Sequence, residues 1–544
     1  MRTGVAGATS ARSLEVCDDD SGSSSPFLKF RQQESATRVQ RRAFALDASI
    51  EDVLVAAADR ASDRLRRKQP EFSAATLSKL ACSIPALFGI SALLALLTPE
   101  STVMLCTLVV LPAAFRILVV VSPDPGPSVS AAVTADDELP IYTVIAPLHR
   151  EARVVDQLLS AIERLDYPAE KLDVIIIVEA DEPATRAAIT RRRHRLPITV
   201  VPSPPAGPRT KPKALNIALE LARGSFIAIY DAEDRPEPDQ LRRALETFRS
   251  VGDELACVQA RLCIDTNTTW LARYFTAEYA GHFDVFLPKL AAFGLPLPLG
   301  GSSNHFRTAA LRQAGAWDPY NVTEDADLGM RLARFGYRCG VIDSTTFEEA
   351  PATARRWLGQ RSRWLKGWMQ TFMVHMREPR RLLRELGPKG FATFLFVVGG
   401  NAFVALVHPI FIVGLCWRMA FAAEAATDAA LCGISVAVGY VPSIAIAWHG
   451  LSVREVPNKL GILAWTPLHW LLLSLAAWRA AVELIYAPFR WTKTEHGLDL
   501  ASTLDELSRH VASLKKRGEL PQIWIDATCN VADRRRLPRV SSSS

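Results

Sequence analysis

Two apolar runs early in the chain restrict its possible folds more than any other feature. Residues 77–98, "LSKLACSIPALFGISALLALLT", and residues 101–121, "STVMLCTLVVLPAAFRILVVV", are each long enough to cross a bilayer as a helix. Hydrocarbon offers no partners for backbone polar groups, so a run of this kind must satisfy them within itself, as a helix does. The link between the runs, around "PES", is short enough to make them a hairpin. A basic flank, "RLRRKQ", precedes the first run and favours a cytoplasmic N-terminus. Arg116 falls near the returning end, where it is expected to snorkel to that same face. Whatever follows is then cytoplasmic as well. The competing reading is a buried helical hairpin within a soluble domain.

The bulk numbers fit a mixed protein. A chain of 544 residues is too long for one ordinary core. Hydrophobic residues make up 49% and charged residues 22%, with a mean hydropathy of +0.10. That balance suits a soluble domain joined to membrane helices. A net charge of +6 without basic clustering argues against nucleic acid as a partner. The nine cysteines include no C-x-x-C pair, which argues against a disulfide framework or a zinc site and fits a reducing compartment. No signal-peptide pattern opens the chain. Residues 1–76 are polar, with the disorder-like stretch "CDDDSGSSSP", apart from one helix expected over 49–67 and capped by Ser49.

After a Pro/Ser/acid linker at 122–139 the pattern changes. Apolar, β-branched runs at 141–148, 172–180, 198–203, 225–234 and 256–264 alternate with helical patterns such as "ARVVDQLLSAIERL" and "PKALNIALELA". This predicts an α/β domain over 140–385 with a mostly parallel sheet covered on both faces. Sheets of that kind bind ligands at the carboxyl ends of their strands.

Chemistry is therefore sought at strand ends. "IIIVEADE" puts Glu179, Asp181 and Glu182 at one, and "IAIYDAED" puts Asp231, Glu233 and Asp234 at another. Clustered carboxylates after a buried strand suit Mg2+ or Mn2+, which are often shared with a substrate's phosphates. Turn chemistry is the plainer reading, stronger for "EADE" than for "DAED". Between them the loop "PSPPAGPRTKPKALN" carries Arg209, Lys211 and Lys213, fit to cover a diphosphate or merely solvated. Gly300 and Gly301 in "LPLGGSSNHFR" allow close backbone approach to a ligand. In "NVTEDADLGMRLARFGY" Thr323 is expected to cap a helix, with Asp327 in a capping role and Asp325, beside Glu324, a general base. In "QRSRWLKGW" (360–368), Gln360, Arg363 and Trp364 stand at i, i+3 and i+4, one face of a helix. Arg offers a fork for phosphate and Trp a flat platform for a sugar ring, while an interfacial helix would use the same residues.

"DAED", "TED" and "QRSRW", in this order with membrane helices on both sides, resemble the family 2 glycosyltransferases, in the branch of cellulose, chitin and hyaluronan synthases. "YDAEDRPEPDQL", "GGSSNHFR" and "PFRWTKTEHG" look closer still to bacterial membrane glycosyltransferases labelled phage-adsorption-protein-like. The resemblance implies a nucleotide-diphospho-sugar transferase (GT-A-like) domain. It implies an inverting, metal-dependent transfer from a nucleotide-sugar, UDP-sugar first, to a saccharide or lipid-linked acceptor. Asp181 matches the first nucleotide-contacting acid, and Lys211 or Lys213 the base near the donor phosphates. Asp231 and Glu233 match the metal-holding D-x-D pair, with Asp234 as a competitor. Asp325 matches the catalytic base, with Glu324 beside the acceptor. Gln360 and Arg363 match donor-binding positions and Trp364 an acceptor-binding one. Residues 489–497 sit where the synthases carry a gating segment.

Repeated addition and single addition to a lipid-linked acceptor both remain open, as does, further off, a non-catalytic membrane scaffold. No G-x-x-x-x-G-K-[ST] loop supports a nucleotide-driven transporter. The apolar runs within 386–485 raise a conflict. If 402–420, 429–448 and 460–484 all crossed, the basic tail 486–544 would lie outside, away from the site. Residues 460–484 hold Pro467, His469, Arg479 and Glu483 among three tryptophans, a composition expected of an interfacial helix. The expectation is two spans before the catalytic domain and two after it, in a bacterial inner membrane.

Overall fold

In the computed structural model, residues 48–491 are described apart from 96–98, 125–134, 206, 266–268, 352 and 422–425. The apolar runs of the α/β region become strands because each can bury both faces. They are β1 (Tyr142–Leu148), β2 (Leu172–Glu179), β3 (Ile198–Ser203), β4 (Phe226–Ile229), β5 (Arg235–Pro236), β6 (Leu255–Ile264), β7 (Asn304–Arg307) and β8 (Arg338–Glu348). The sheet order is β3-β2-β1-β4-β7-β6-β8-β5. Strands β1 to β4 pair in parallel, with Tyr142 opposite both Leu172 and Phe226. Strands β6 and β8 are also parallel, and β7 and β5 run antiparallel to their neighbours. All eight residues of β2 are buried, as a strand covered on both faces requires. Its Val174, Ile176 and Val178 share a core with Val144, Leu158, Ala228 and Phe248. The expected mostly parallel α/β domain is thus present, with an antiparallel strand between its two parallel parts.

The helices that position the site are α1 (Ala48–Lys68), α2 (Lys79–Ala95), α3 (Pro99–Val121), α4 (Lys211–Leu221), α5 (Trp270–Tyr279), α6 (Glu324–Arg334), α7 (Ala354–His375), α8 (Pro379–Thr393), α9 (Gly400–Phe421), α10 (Ala426–Val453) and α11 (Thr466–Tyr486). Ser49 lies inside α1 rather than capping it. Among the described residues, four helical segments are long and apolar enough to cross a membrane: Val103–Val121, Pro379–Trp417, Ala429–Val453 and Lys459–Tyr486. The first apolar run gives a shorter helix, α2, and residues 96–98 fall outside the described set. Outward faces of α2 and α3 expose Leu87, Ile90, Leu94, Met104, Leu111 and Leu118, the pattern of a lipid-facing surface. Arg116 does not snorkel outward as expected. Its guanidinium donates to Asn401 Oδ1 at the start of α9, inside the helix cluster.

Helix α11 is apolar enough to cross, yet both its ends stay against the α/β unit. Just before its start Trp465 stacks on Trp270 at 5.0 Å, and in its first turn His469 stacks on Tyr274 at 4.1 Å. Near its end Glu483 pairs with Lys366 of α7 at 3.5 Å. Its buried alanines, among them Ala476, Ala477, Ala480 and Ala481, lie against α2, α7 and α9, where small side chains permit close approach. The two hairpins also return to the α/β unit. Lys289 donates to Val120 O at the end of α3 at 2.6 Å, and Arg454, just after α10, pairs with Asp284 and donates to Leu262 O at 2.8 Å.

Candidate active site

Because β1, β2 and β4 are parallel, their carboxyl ends gather on one edge of the sheet. His149 and Glu151 follow β1, Glu179 ends β2, and Asp231 and Glu233 follow β4. All five line one cavity of about 440 Å³. Its other walls bring Gly300 to Ser302, Glu324 and Asp325 at the start of α6, and Gln360, Arg363 and Trp364 of α7.

The acids after β4 are crowded. Asp231 pairs with the Lys211 ammonium, which also donates to Gly301 O at 2.5 Å. Burial opposes charge on Lys211, but Asp231, then Glu324, hold its pKa above the ordinary value. Asp234 accepts from the Asp231 backbone N–H at 2.6 Å and from Ser302 Oγ, while its Oδ1 is buried without a hydrogen-bond partner. Burial, then the charge of Asp231, pushes both Glu233 and Asp234 well above the usual carboxylate range. Glu348, at the end of β8, is pushed up by burial and then by Asp234 and Glu233. Such a cluster stores repulsion that a divalent cation would relieve. Among the described residues no three His, Cys, Asp or Glu side chains are grouped to hold a metal by themselves. The donor set fits an ion held by one or two carboxylates and completed by substrate phosphates.

Across the cavity, Asp325 accepts from the Ala326 N–H at 2.7 Å, and burial raises its pKa. Glu324 rises to about 7, through burial and then the neighbouring charge of Asp325. A Cβ on Gly301 would lie 3.0 Å from Asp325 Oδ2 and one on Gly300 3.1 Å from Phe283, so the glycines' close approach is to these side chains. Two local expectations fail. Thr323 makes no side-chain cap. Asp327 is no cap either, but is fully buried between Arg331 at 2.8 Å and His375 at 3.1 Å. Helix α6 runs along α7 at Gly367, where any Cβ would collide with Thr323.

The spacing in α7 is fulfilled, since Gln360, Arg363 and Trp364 all face the cavity. Gln360 Oε1 and Arg363 Nε are buried without protein partners. Arg361, which sequence reasoning passed over, lies 4.6 Å from the Trp364 ring centroid and 4.7 Å from that of Phe275, and pairs with Glu278 at 2.5 Å. Lys366 donates to Arg490 O at 2.8 Å and Gln370 to Pro488 O at 3.0 Å. These bonds bring Trp491 to Arg363 at 5.9 Å and to His149 at 6.3 Å. Of the expected gating segment only 489–491 is described; 492–497 lies outside.

Two expected donor contacts are displaced. Asp181 is exposed at the rim, held below its ordinary pKa by the Arg209 guanidinium at 2.9 Å; Glu179 takes the cavity position instead. Lys211 faces the cavity, whereas Lys213 is fully buried and ties down the loop at Pro204 O, 2.7 Å away. Glu151 and Glu348 carried no local signal. They stand in ordinary-looking sequence and reach the cluster only through the sheet order.

Comparison with known proteins places the α/β unit in a family. Residues 143–307 match the model for glycosyl transferase family 2, and residues 226–492 that for glycosyl transferase family group 2. A probable glycosyltransferase of Bacillus subtilis, YdaM, is 26% identical over 51% of this chain and 67% of its own length. The beta-monoglucosyldiacylglycerol synthase of Synechocystis is 24% identical over 47% of this chain and 53% of its own. A probable glucomannan 4-beta-mannosyltransferase of Arabidopsis thaliana is 26% identical over 42% and 43%. The chain thus spans about half the length of the latter two relatives. Among solved structures, the mannosyltransferase PcManGT from Pyrobaculum calidifontis, in complex with GDP-Man and Mn2+, overlaps with a TM-score of 0.45 at 18% identity. The overlap covers 75% of this chain and 99% of that one, and is too loose to argue from. On these matches the α/β unit is a family 2 glycosyltransferase domain, and the chain that carries it is a glycosyltransferase.

Proposed function

We propose that the protein is an inverting, metal-dependent membrane glycosyltransferase that moves a sugar from a nucleoside-diphosphate donor, a UDP-sugar first, to an acceptor hydroxyl. The observation that carries this is the meeting of Asp231, Asp325, Arg363 and Trp364 around one cavity, although they come from three separate elements. Lys211 and the Arg363 fork face the donor's phosphates, where Arg pairs two oxygens at once. Gln360 Oε1, without a protein partner, is left to accept from a ligand O–H or N–H. Trp364 offers its flat face to the acceptor ring. Asp325 takes the acceptor proton as that oxygen attacks the anomeric carbon, and the nucleoside diphosphate leaves from the opposite side, inverting the centre. A Mg2+ or Mn2+ ion on Asp231 with Glu233 or Asp234 would supply positive charge to the leaving diphosphate.

Motif order supports the finer assignment to the cellulose, chitin and hyaluronan synthase branch and its phage-adsorption-labelled bacterial members. The relatives' names divide between a lipid product and a polysaccharide, so product length is part of the test. The basic flank before α2 supports a cytoplasmic catalytic domain in a bacterial inner membrane.

The test is nucleoside diphosphate release from a panel of nucleotide sugars by the detergent-purified protein, with Mn2+ or Mg2+, beside Asp325→Asn. We expect metal-dependent release from one donor, reduced about a hundred- to ten-thousandfold in the variant. No release from any donor, with no donor binding in calorimetry, would overturn the reading.

A further inference from the structure

The cavity does not stop at the carboxylates. It continues between α3, α9 and α10, past Pro112, Ala113, Val404, Gly439 and Ile446 to Val109. Val109 is about 18 Å along α3 from Val121, at 1.5 Å per residue. This arm is mostly apolar, its polar lining from these three helices being Arg116, Asn401 and Ser443. Among the described residues that α3, α9 and α10 contribute to the lining, Arg116 is the only charged one. Its guanidinium holds Asn401, an uncharged partner, and its Nε is buried with none. Arg116 itself stands about 7.5 Å along α3 from Val121, between the arm and the carboxylates; a permanent cation there is costly without an anion, and a planar fork is the side chain suited to phosphate.

We propose that this arm receives the acceptor, and that the acceptor is a phosphate-bearing lipid. Its apolar chain lies in the arm, its phosphate sits on Arg116, and its hydroxyl-bearing head reaches Asp325 and Trp364. This rests on the glycosyl-transfer reading above. In the step, the head-group oxygen bonds to the anomeric carbon as the carbon–oxygen bond to the diphosphate breaks. The proton passes to Asp325, and the lipid phosphate is unchanged. A neutral polysaccharide would leave Arg116 uncompensated and would meet few hydroxyl partners in the arm.

The test uses full-length protein in maltoside micelles, free of lipid phosphate, with four lipids added singly. Two carry phosphate, phosphatidylglycerol and a polyprenyl-diphosphate-linked sugar; two are neutral, diacylglycerol and its monoglucoside. Native mass spectrometry reads lipid binding, and a radiolabelled donor sugar reads transfer. At least one phosphate lipid should bind at least tenfold tighter than the neutral ones, and the one that takes up label identifies the source of the phosphate. Arg116→Gln should weaken that binding about ten- to a hundredfold, the scale of one charge-assisted hydrogen bond, with Arg116→Lys between. Equal binding of neutral and phosphate lipids by the wild-type protein overturns the proposal and needs no variant to fold. Label appearing only in water-soluble polysaccharide, or full phosphate-lipid binding by Arg116→Gln, also overturns it. Phosphate-lipid binding through Arg116 without turnover of any donor would sink the glycosyl-transfer reading alone.

Discussion

Glu324 and Asp325 are consecutive carboxyl groups at the start of one helix, the first buried and the second half-buried, and two such groups do not ionise independently. A general base works only when deprotonated. Because burial raises the pKa of both groups, activity is lost as pH falls through a value higher than an exposed Asp would give. The charge of Asp325 raises Glu324, whereas burial raises Asp325, so Glu324 is the weaker acid and is still neutral where Asp325 ionises. In Glu324→Gln the acid limb of the kcat/KM profile should therefore stay in place. A limb that moved down by about one pH unit would mean that Glu324 is charged first and sets it. At this scale the sequence was most legible where function demanded unusual spacing. "QRSRW" put Gln360, Arg363 and Trp364 on one helix face, and that face does line the cavity. It was least legible for single acids such as Glu151 and Glu348, whose meeting with Asp231 is made by strand order. Arg116 was misjudged because snorkelling is the default for a terminal Arg, and nothing local announced Asn401 as its partner.

Elements hold these residues in place through buried charge. Helix α6 is fixed to α7 by Asp327, which sits between Arg331 and His375 with no exposure at all. Burial works against its charge, but Arg331, then His375, keep its pKa below the ordinary value. Asp327→Asn leaves Arg331 a buried cation without its counter-charge, a loss of about 3–5 kcal/mol. The detergent-purified variant should melt several degrees lower, a midpoint readable by nucleotide-independent scanning fluorimetry; an unchanged midpoint would refute the buried-pair account. Helix α7 also depends on Arg361, wedged between Trp364, Phe275 and Trp357 and neutralised by Glu278. Arg361→Gln should raise the acceptor KM about tenfold, since a desolvated cation–π contact is worth up to about 2 kcal/mol, with Arg361→Lys intermediate. A change in donor KM instead would assign Arg361 to the donor side. The strands and α7 were legible because apolar periodicity marks burial directly. Asp327 was misread because an acid in a first helical turn is most often a cap, and only the fold reveals Arg331 and His375 across from it.

At the scale of the whole molecule the question is how many times the chain crosses the membrane. Length and hydropathy alone allow α11 to cross, which would carry everything after Tyr486 to the far side. The packing argues otherwise. Trp465 and His469 hold one end of α11 to α5, Lys366 holds the other end to α7, and the segment after it delivers Trp491 to Arg363. A helix anchored to the same domain at both ends lies along that domain, and its tryptophans suit the headgroup layer. Helices α3 and α10 likewise end against the α/β unit, at Lys289 and Asp284. The prediction uses a functional protein stripped of its native cysteines, in intact cells and in inverted vesicles. A cysteine at position 423, between α9 and α10, should react with an impermeant maleimide from outside the cell. A cysteine at position 500, beyond α11, should react only in inverted vesicles, because its side of the membrane is the side of Asp325. Labelling of both positions from outside would mean that α11 crosses, that the contact of Trp491 with Arg363 cannot form in the membrane, and that the tail has no part in closing the site.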